Sequence, residues 1–197
     1  MEVKGIIFGV IGDKYSTINQ RKEVYVLEHI DKYANKDKII EALKMVNLSE
    51  DYLLKKSNNL STVEYNKLSL VNSLINKEDL IVLDHFEKGL CHKEREYFKR
   101  LIKKLAKTYG IDFAIKTNDF TFCLDLVDEY DVFKNGELLK RIDKKDVYKE
   151  QAYKYYDKHQ LVDFVLLCRD KGFLKDDYYS VNEVIKAVYR EKVWDIF

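Results

Sequence analysis

The residues able to do chemistry stand at the ends of apolar runs. Asp84 closes the run Leu80-Ile81-Val82-Leu83 and is followed directly by His85. An apolar run without alternation predicts a strand buried on both faces, as in the middle of a parallel sheet. Ligands of such sheets meet the carboxyl ends of the strands, which is where Asp84 is predicted to stand. His85 beside it has the side chain best suited to act as a base near neutral pH. A second apolar run, Ile111 to Thr117, ends in Asn118-Asp119, and Ser61 opens a helical stretch upstream.

Other combinations fail on spacing. A phosphate loop needs G-x-x-x-x-G-K-[ST], because successive backbone N–H groups wrap the phosphates while the lysine reaches the terminal ones. The turn Gly12-Asp13-Lys14-Tyr15-Ser16-Thr17 does not supply it: no second glycine precedes Lys14, neither Ser nor Thr directly follows it, and Asp13 would set a carboxylate against phosphate. His29, His92 and His159 are scattered without metal-ligand spacing. Cys91-His92 has no second pair, and no orienting group for a cysteine nucleophile is recognisable. Three cysteines far apart, with no CxxC, imply a reducing cytosol and no disulfide framework.

The elements that must position these residues follow from periodicity. Residues 61–75 carry Leu68, Val71, Leu74 and Ile75 at helical spacing, and Asn76-Lys77-Glu78-Asp79 breaks it before the Asp84 strand. Residues 93–108 predict an amphipathic helix with Phe98, Leu101, Ile102 and Leu105 inward and Gly110 as its stop. Residues 120–127 predict a helix, and residues 128–139 a hairpin around Asn135-Gly136. Near the N-terminus, residues 3–11 predict a buried strand, and residues 24–33 and 36–46 predict helices. In the tail, residues 160–170 and 181–190 predict helices separated by Lys171-Gly172.

With 197 residues, 46% of them hydrophobic, the chain can bury one sizeable core plus an appendage. Thirty-five basic against 34 acidic residues leave a formal charge of +1, too little to steer nucleic acid or an anionic membrane. No apolar stretch approaches the roughly 20 residues that span a bilayer, so no direct membrane insertion is expected.

Taken in order, Leu60-Ser61-Thr62-Val63-Glu64, the apolar strand to Asp84, the turn with Gly89-Leu90-Cys91, the strand to Thr117-Asn118-Asp119 and the Asn135-Gly136 hairpin resemble an ABC-type ATPase domain. That family writes LSGGQ or LSGGE, then LLLLDEPTSGLD, then a switch strand ending in Thr/Ser-His-Asp. The tail, with Leu161-Val162-Asp163-Phe164-Val165 and Val184 to Arg190, resembles the small C-terminal domain of energy-coupling factor (ECF) transporter ATPase subunits. The resemblance implies an α/β fold: an incomplete P-loop NTPase-like (ABC ATPase) parallel sheet flanked by helices, with a small helical C-terminal appendage. It implies a truncated ATPase-like domain over 1–142, with a helical subdomain and signature-like helix at 24–75, and a mainly helical domain over 143–197.

The resemblance also implies roles. Asp84 stands at the Walker B position, which holds Mg²⁺ in a working ATPase, and is a metal ligand here only if nucleotide and Mg²⁺ bind. His85 replaces the glutamate that polarises the attacking water, and Asn118 replaces the switch histidine. Ser61 is kept at the signature position, but Thr62 and Val63 replace two glycines. These departures imply a degenerate, non-hydrolysing subunit with no cofactor expected, acting as a structural or interaction subunit of a transporter-type assembly. Its implied partners are a complete ABC ATPase subunit, in a heterodimer, and a membrane coupling protein, with the chain in the cytoplasm and peripheral to the membrane. The alternative is the nucleotide-binding half of a composite ABC ATPase driving ECF-type import with Mg-ATP. On this register the chain starts downstream of the phosphate-loop strand. Residues 6–11 should then pair with Leu80 to Leu83, and either residues 130–134 should close against residues 113–116 or some other segment should fill the gap between them.

Overall fold

A computed structural model describes residues 4–12, 30, 35–117, 119–146 and 160–192. In chain order these form β1 (Ile7–Gly12), α1 (Lys36–Met45), α2 (Thr62–Ile75), β2 (Leu80–Asp84), α3 (His92–Tyr109), β3 (Asp112–Lys116), α4 (Phe120–Leu124), β4 (Glu129–Lys134), β5 (Glu137–Asp143), α5 (Gln160–Asp170) and α6 (Val181–Lys192). Short 3₁₀ turns at Glu50–Leu54 and Ser57–Asn59 join α1 to α2. The expected helix at 24–33 lies outside the described residues. The fold is mixed α/β, and its five strands run in the order β2-β3-β1-β4-β5.

The chain divides into two compact units. One comprises Met1–Ile7 and Tyr15–Lys116. There β2 and β3 pair in parallel, Leu80 opposite Asp112 through Asp84 opposite Lys116. Phe113 and Ile115 of β3 and Phe98, Ile102, Leu105 and Ala106 of α3 are buried in its core. The inward side chains of α3 recur at the expected helical interval, and the helix stops at Gly110 in the left-handed conformation (φ 70°). The N-terminal segment enters beside them: Gly5 N–H donates to the Ala106 carbonyl at 2.9 Å and the Phe113 N–H donates to Ile6 O at 2.9 Å.

The other unit comprises Phe8–Lys14 and Thr117–Phe197. β1 pairs in parallel with β4, Gly9 opposite Tyr130 and Gly12 opposite Phe133, and β4 pairs antiparallel with β5. The hairpin turn forms as the sequence predicts, with Asn135 (φ 53°) and Gly136 (φ 87°) both left-handed. Asp131 of β4 is buried, and Arg141 of β5 grips it with two hydrogen bonds of 2.6 and 2.9 Å.

Three expectations are corrected. The first strand does not neighbour Leu80 to Leu83, and of the two expectations for the gap beside β3 the second holds: Tyr130 to Lys134 do not close against it, and β1 stands between β3 and β4 in the strand order. The strand ending in Asp84 is not central. Among the described residues its one strand neighbour is β3, and it alternates, with Leu80 48% and Val82 59% exposed while Ile81 and Leu83 are buried. An unbroken apolar run carries no information about which strands will flank it, so the sequence pattern could not separate centre from edge. The helix expected over 120–127 ends at Leu124, where the chain turns through Asp125.

Candidate functional site

The carboxyl ends of β2 and β3 bring four ionisable side chains together. Asp84 and Lys116 are register partners, and Lys116 Nζ lies 3.4 Å from Asp84 Oδ2. Just past the strand, His85 takes a left-handed backbone (φ 49°), uncommon for a residue with a side chain. Its N–H donates to the Lys116 carbonyl at 2.8 Å, and its own carbonyl accepts from Lys88 N–H at 3.1 Å, closing a tight turn. The turn folds the imidazole back between two carboxylates. Nε2 is 3.9 Å from Asp84 Oδ1 and Nδ1 is 3.7 Å from Glu87 Oε1. Glu87 is 2% exposed. Neither Glu87 nor Lys116 stands out in the sequence. The available signal was that Glu87 sits three residues after Asp84 on a turn; the approach of Lys116 depends on strand register.

The signature-like segment is a helix start with its polar groups already engaged. Ser61 caps α2, its Oγ accepting from Glu64 N–H at 3.2 Å while Glu64 Oε2 accepts from Ser61 N–H at 2.7 Å. The Tyr52 hydroxyl donates to Glu64 Oε1 at 2.6 Å and Lys55 Nζ lies 3.8 Å from the same oxygen. The Tyr52 hydroxyl, then the Ser61 backbone N–H, hold the Glu64 carboxyl down at a pKa of about 2. Val63, in place of a glycine, packs onto the turn after β2. A side chain on Gly89 would come within 2.7 Å of Val63 Cγ2, and the left-handed backbone there (φ 82°) disfavours one independently. Cys91, at the end of this turn, is an exposed free thiol.

Past β3, Asn118 lies outside the described residues. Its neighbours serve the backbone: Asp119 N–H donates to Thr117 Oγ1 at 2.8 Å, and Asp119 Oδ1 accepts from Phe122 N–H at 3.2 Å, capping α4.

The position of β1 changes how the N-terminal segment is read. Laid from Gly9, the pattern G-x-x-x-x-G-K-[ST] puts Lys14 at the second glycine, Tyr15 at the lysine and Ser16 at the hydroxyl position. The spacing was legible, but it emerges only when the first glycine is sought inside the strand instead of after it. Residues 13–17 lie outside the described residues. In the described part, β1 stays strand through Gly12 and stays in register with β4 to Phe133. Gly9 has a packing role there: a Cβ on it would meet Tyr130 Cδ1 at 2.9 Å.

A Mg-nucleotide needs a carboxylate open to the metal and a curled backbone for its phosphates. Asp84 already faces an ammonium, and no group of three or more His, Cys, Asp or Glu among the described residues is arranged to hold a metal ion. The backbone at Gly9–Gly12 is extended in the sheet. With Asp84 paired to Lys116 and Gly9–Gly12 extended, these two segments do not fit that group; residues 13–17 lie outside the described residues. Among them, no helix is long and apolar enough to cross a membrane.

No family model matches the chain. It is 28% identical over 115 residues to the "Spermidine/putrescine import ATP-binding protein PotA" of Pasteurella multocida (strain Pm70), covering 58% of this chain and 31% of that protein. The protein of the same name from Salmonella typhimurium is 27% identical over 113 residues, 57% of this chain and 30% of that one. The chain thus spans about a third of the length of these curated relatives. Among solved structures, cbiO1 from Clostridium perfringens, part of the ABC transporter complex cbiONQ, superposes with a TM-score of 0.56 at 17% identity, covering 75% of this chain and 81% of that one. A dimeric ATP-binding cassette in a post-hydrolysis state, bound to ADP and Pi, superposes with a TM-score of 0.54 at 22% identity, covering 71% of this chain and 63% of that one. The strand order and the structural likeness give the chain the mixed α/β fold of ATP-binding cassettes, and part of its sequence is similar to the ATP-binding proteins named above.

Proposed function

We propose that this chain is a non-hydrolysing ABC-type subunit, a structural or interaction member of a transporter-type assembly. The observation that carries this reading is β1. A phosphate loop must leave its strand and curl so that consecutive N–H groups converge on an anion. Here the backbone from Gly9 to Gly12 is laddered to β4, and Gly9 itself is accounted for by packing, since a Cβ on it would meet the Tyr130 ring. The chemistry at Asp84 agrees with this. His85 stands where a glutamate would polarise water, and its imidazole lies between Asp84 and Glu87. On this reading the partners are a complete ABC ATPase subunit and a membrane coupling protein. The chain works in the cytoplasm, peripheral to the membrane through them, with residues 143–197 as a small helical appendage. It requires no cofactor of its own.

One observation favours a second reading, in which the chain is the nucleotide-binding half of a composite ABC ATPase driving ECF-type import. β1 occupies the strand position between β3 and β4, and Ser16-Thr17 follow it at phosphate-loop spacing. Calorimetric titration of the chain with Mg-ATP, alone and with any copurifying partner, separates the two. The first reading expects no binding and no hydrolysis by the isolated chain. Saturable Mg-ATP binding establishes the second reading, and steady turnover that disappears on Asp84→Ala would sink the first outright.

A further inference from the structure

We propose that Lys116 is a resident cation at Asp84: its ammonium supplies the positive charge that a divalent ion supplies at a metal-loaded carboxylate, and so closes this site to metal. The inference rests on the non-hydrolysing reading and names how the site is held in that state.

Strand register sets up the contact. Asp84 and Lys116 are the last residues of β2 and β3 and stand directly opposite each other, so their side chains leave the sheet on the same face. The ammonium reaches Asp84 Oδ2 at 3.4 Å, and the Lys116 side chain is mostly buried. Its backbone is fixed as well, because the Lys116 carbonyl accepts the His85 N–H at 2.8 Å. Swinging the ammonium away from Asp84 would expose the buried stem of Lys116 to water. A divalent ion seated on Asp84 would lie a few ångströms from this ammonium and be repelled by it. It would also need further hard oxygen ligands. Glu87, on the other side of the His85 imidazole, turns Oε1 toward that ring.

Thermal denaturation of the full chain, with and without millimolar Mn²⁺ and with no nucleotide present, tests this. The proteins are wild type, Lys116→Met, Lys116→Arg and Lys116→Met with Asp84→Asn. Wild type and Lys116→Arg should ignore Mn²⁺. Lys116→Met should melt a few degrees lower and recover most of that loss in Mn²⁺, since a ligand binding only the native state raises its stability. The double variant should lose the recovery. Mn²⁺ stabilisation of wild type that Asp84→Asn abolishes overturns the inference, and so does a Lys116→Met protein that Mn²⁺ leaves unchanged. Should Lys116→Met fail to fold, the Lys116 Hε/Cε resonances of the wild type decide. They should stay put on adding Mg²⁺, and displacement would overturn the assignment. Because nucleotide is absent throughout, Mg-ATP binding by the wild type would refute the non-hydrolysing reading without altering these outcomes.

Discussion

Restoring the family's glutamate at His85 should harm this protein, and the reason lies in Glu87. His85→Glu would put a third carboxylate where the imidazole now sits, 3.7 Å from Glu87 Oε1 and 3.9 Å from Asp84 Oδ1. Two unit charges about 4 Å apart repel by about 4 kcal/mol at an effective dielectric near 20. The nearby Lys116 ammonium and the partial exposure of Asp84 offset part of this, so the expected net loss is about 2 kcal/mol, read as the drop in urea-unfolding free energy at pH 7. Threonine, which the family's motif carries at the position of Glu87, removes one of the two repelling partners and leaves Asp84, which faces Lys116. In an Glu87→Thr background the same His85→Glu change should therefore cost far less, with a coupling of about 1–2 kcal/mol in the double-mutant cycle. None of the three variants should hydrolyse ATP, because the strand at Gly9–Gly12 is unchanged in all of them. A His85→Glu protein as stable as wild type would refute this account, and so would a loss that is the same with and without Glu87.

Glu94→Gln should destabilise more than Lys67→Met, by about 3 against about 1 kcal/mol in urea, because the first strands a buried ammonium now paired at 2.8 Å, whereas methionine fills the space and leaves a partly exposed carboxylate. Equal losses would show that burial of the charge is not what matters. Glu64, whose folded pKa lies near 2 against an ordinary 4.5, contributes stability that is full above about pH 4.5 and is lost as pH falls toward 2. Comparing wild type with Glu64→Gln across that window should show the gap closing on acidification; a gap that widens would reverse the sign. Gly9→Ala should cost about 1–3 kcal/mol, since its Cβ would press on the buried Tyr130 ring at 2.9 Å, and Tyr130→Leu should relieve most of the added cost. A neutral Gly9→Ala would mean that packing does not account for the glycine.

Local chemistry was legible in the residues themselves. Ser61 with Glu64 three places on is a capping box wherever a helix follows. Asn135-Gly136 dictates a left-handed turn, and the helical interval from Phe98 to Leu105 chooses the buried face of α3. The ABC-type landmarks could be read in order because each is a short pattern of this kind. Strand order could not. Which strand flanks Leu80 to Asp84 depends on partners 32 positions away, and the insertion of Ile7–Gly12 between β3 and β4 on partners more than a hundred away, for which an apolar run carries no address. The site divides the same way. Asp84 and His85 were found by sequence because they follow an apolar run. Lys116 joined them only through parallel register, and Glu87 only through the left-handed turn at His85, which folds the chain back on itself and brings a buried carboxylate to the imidazole.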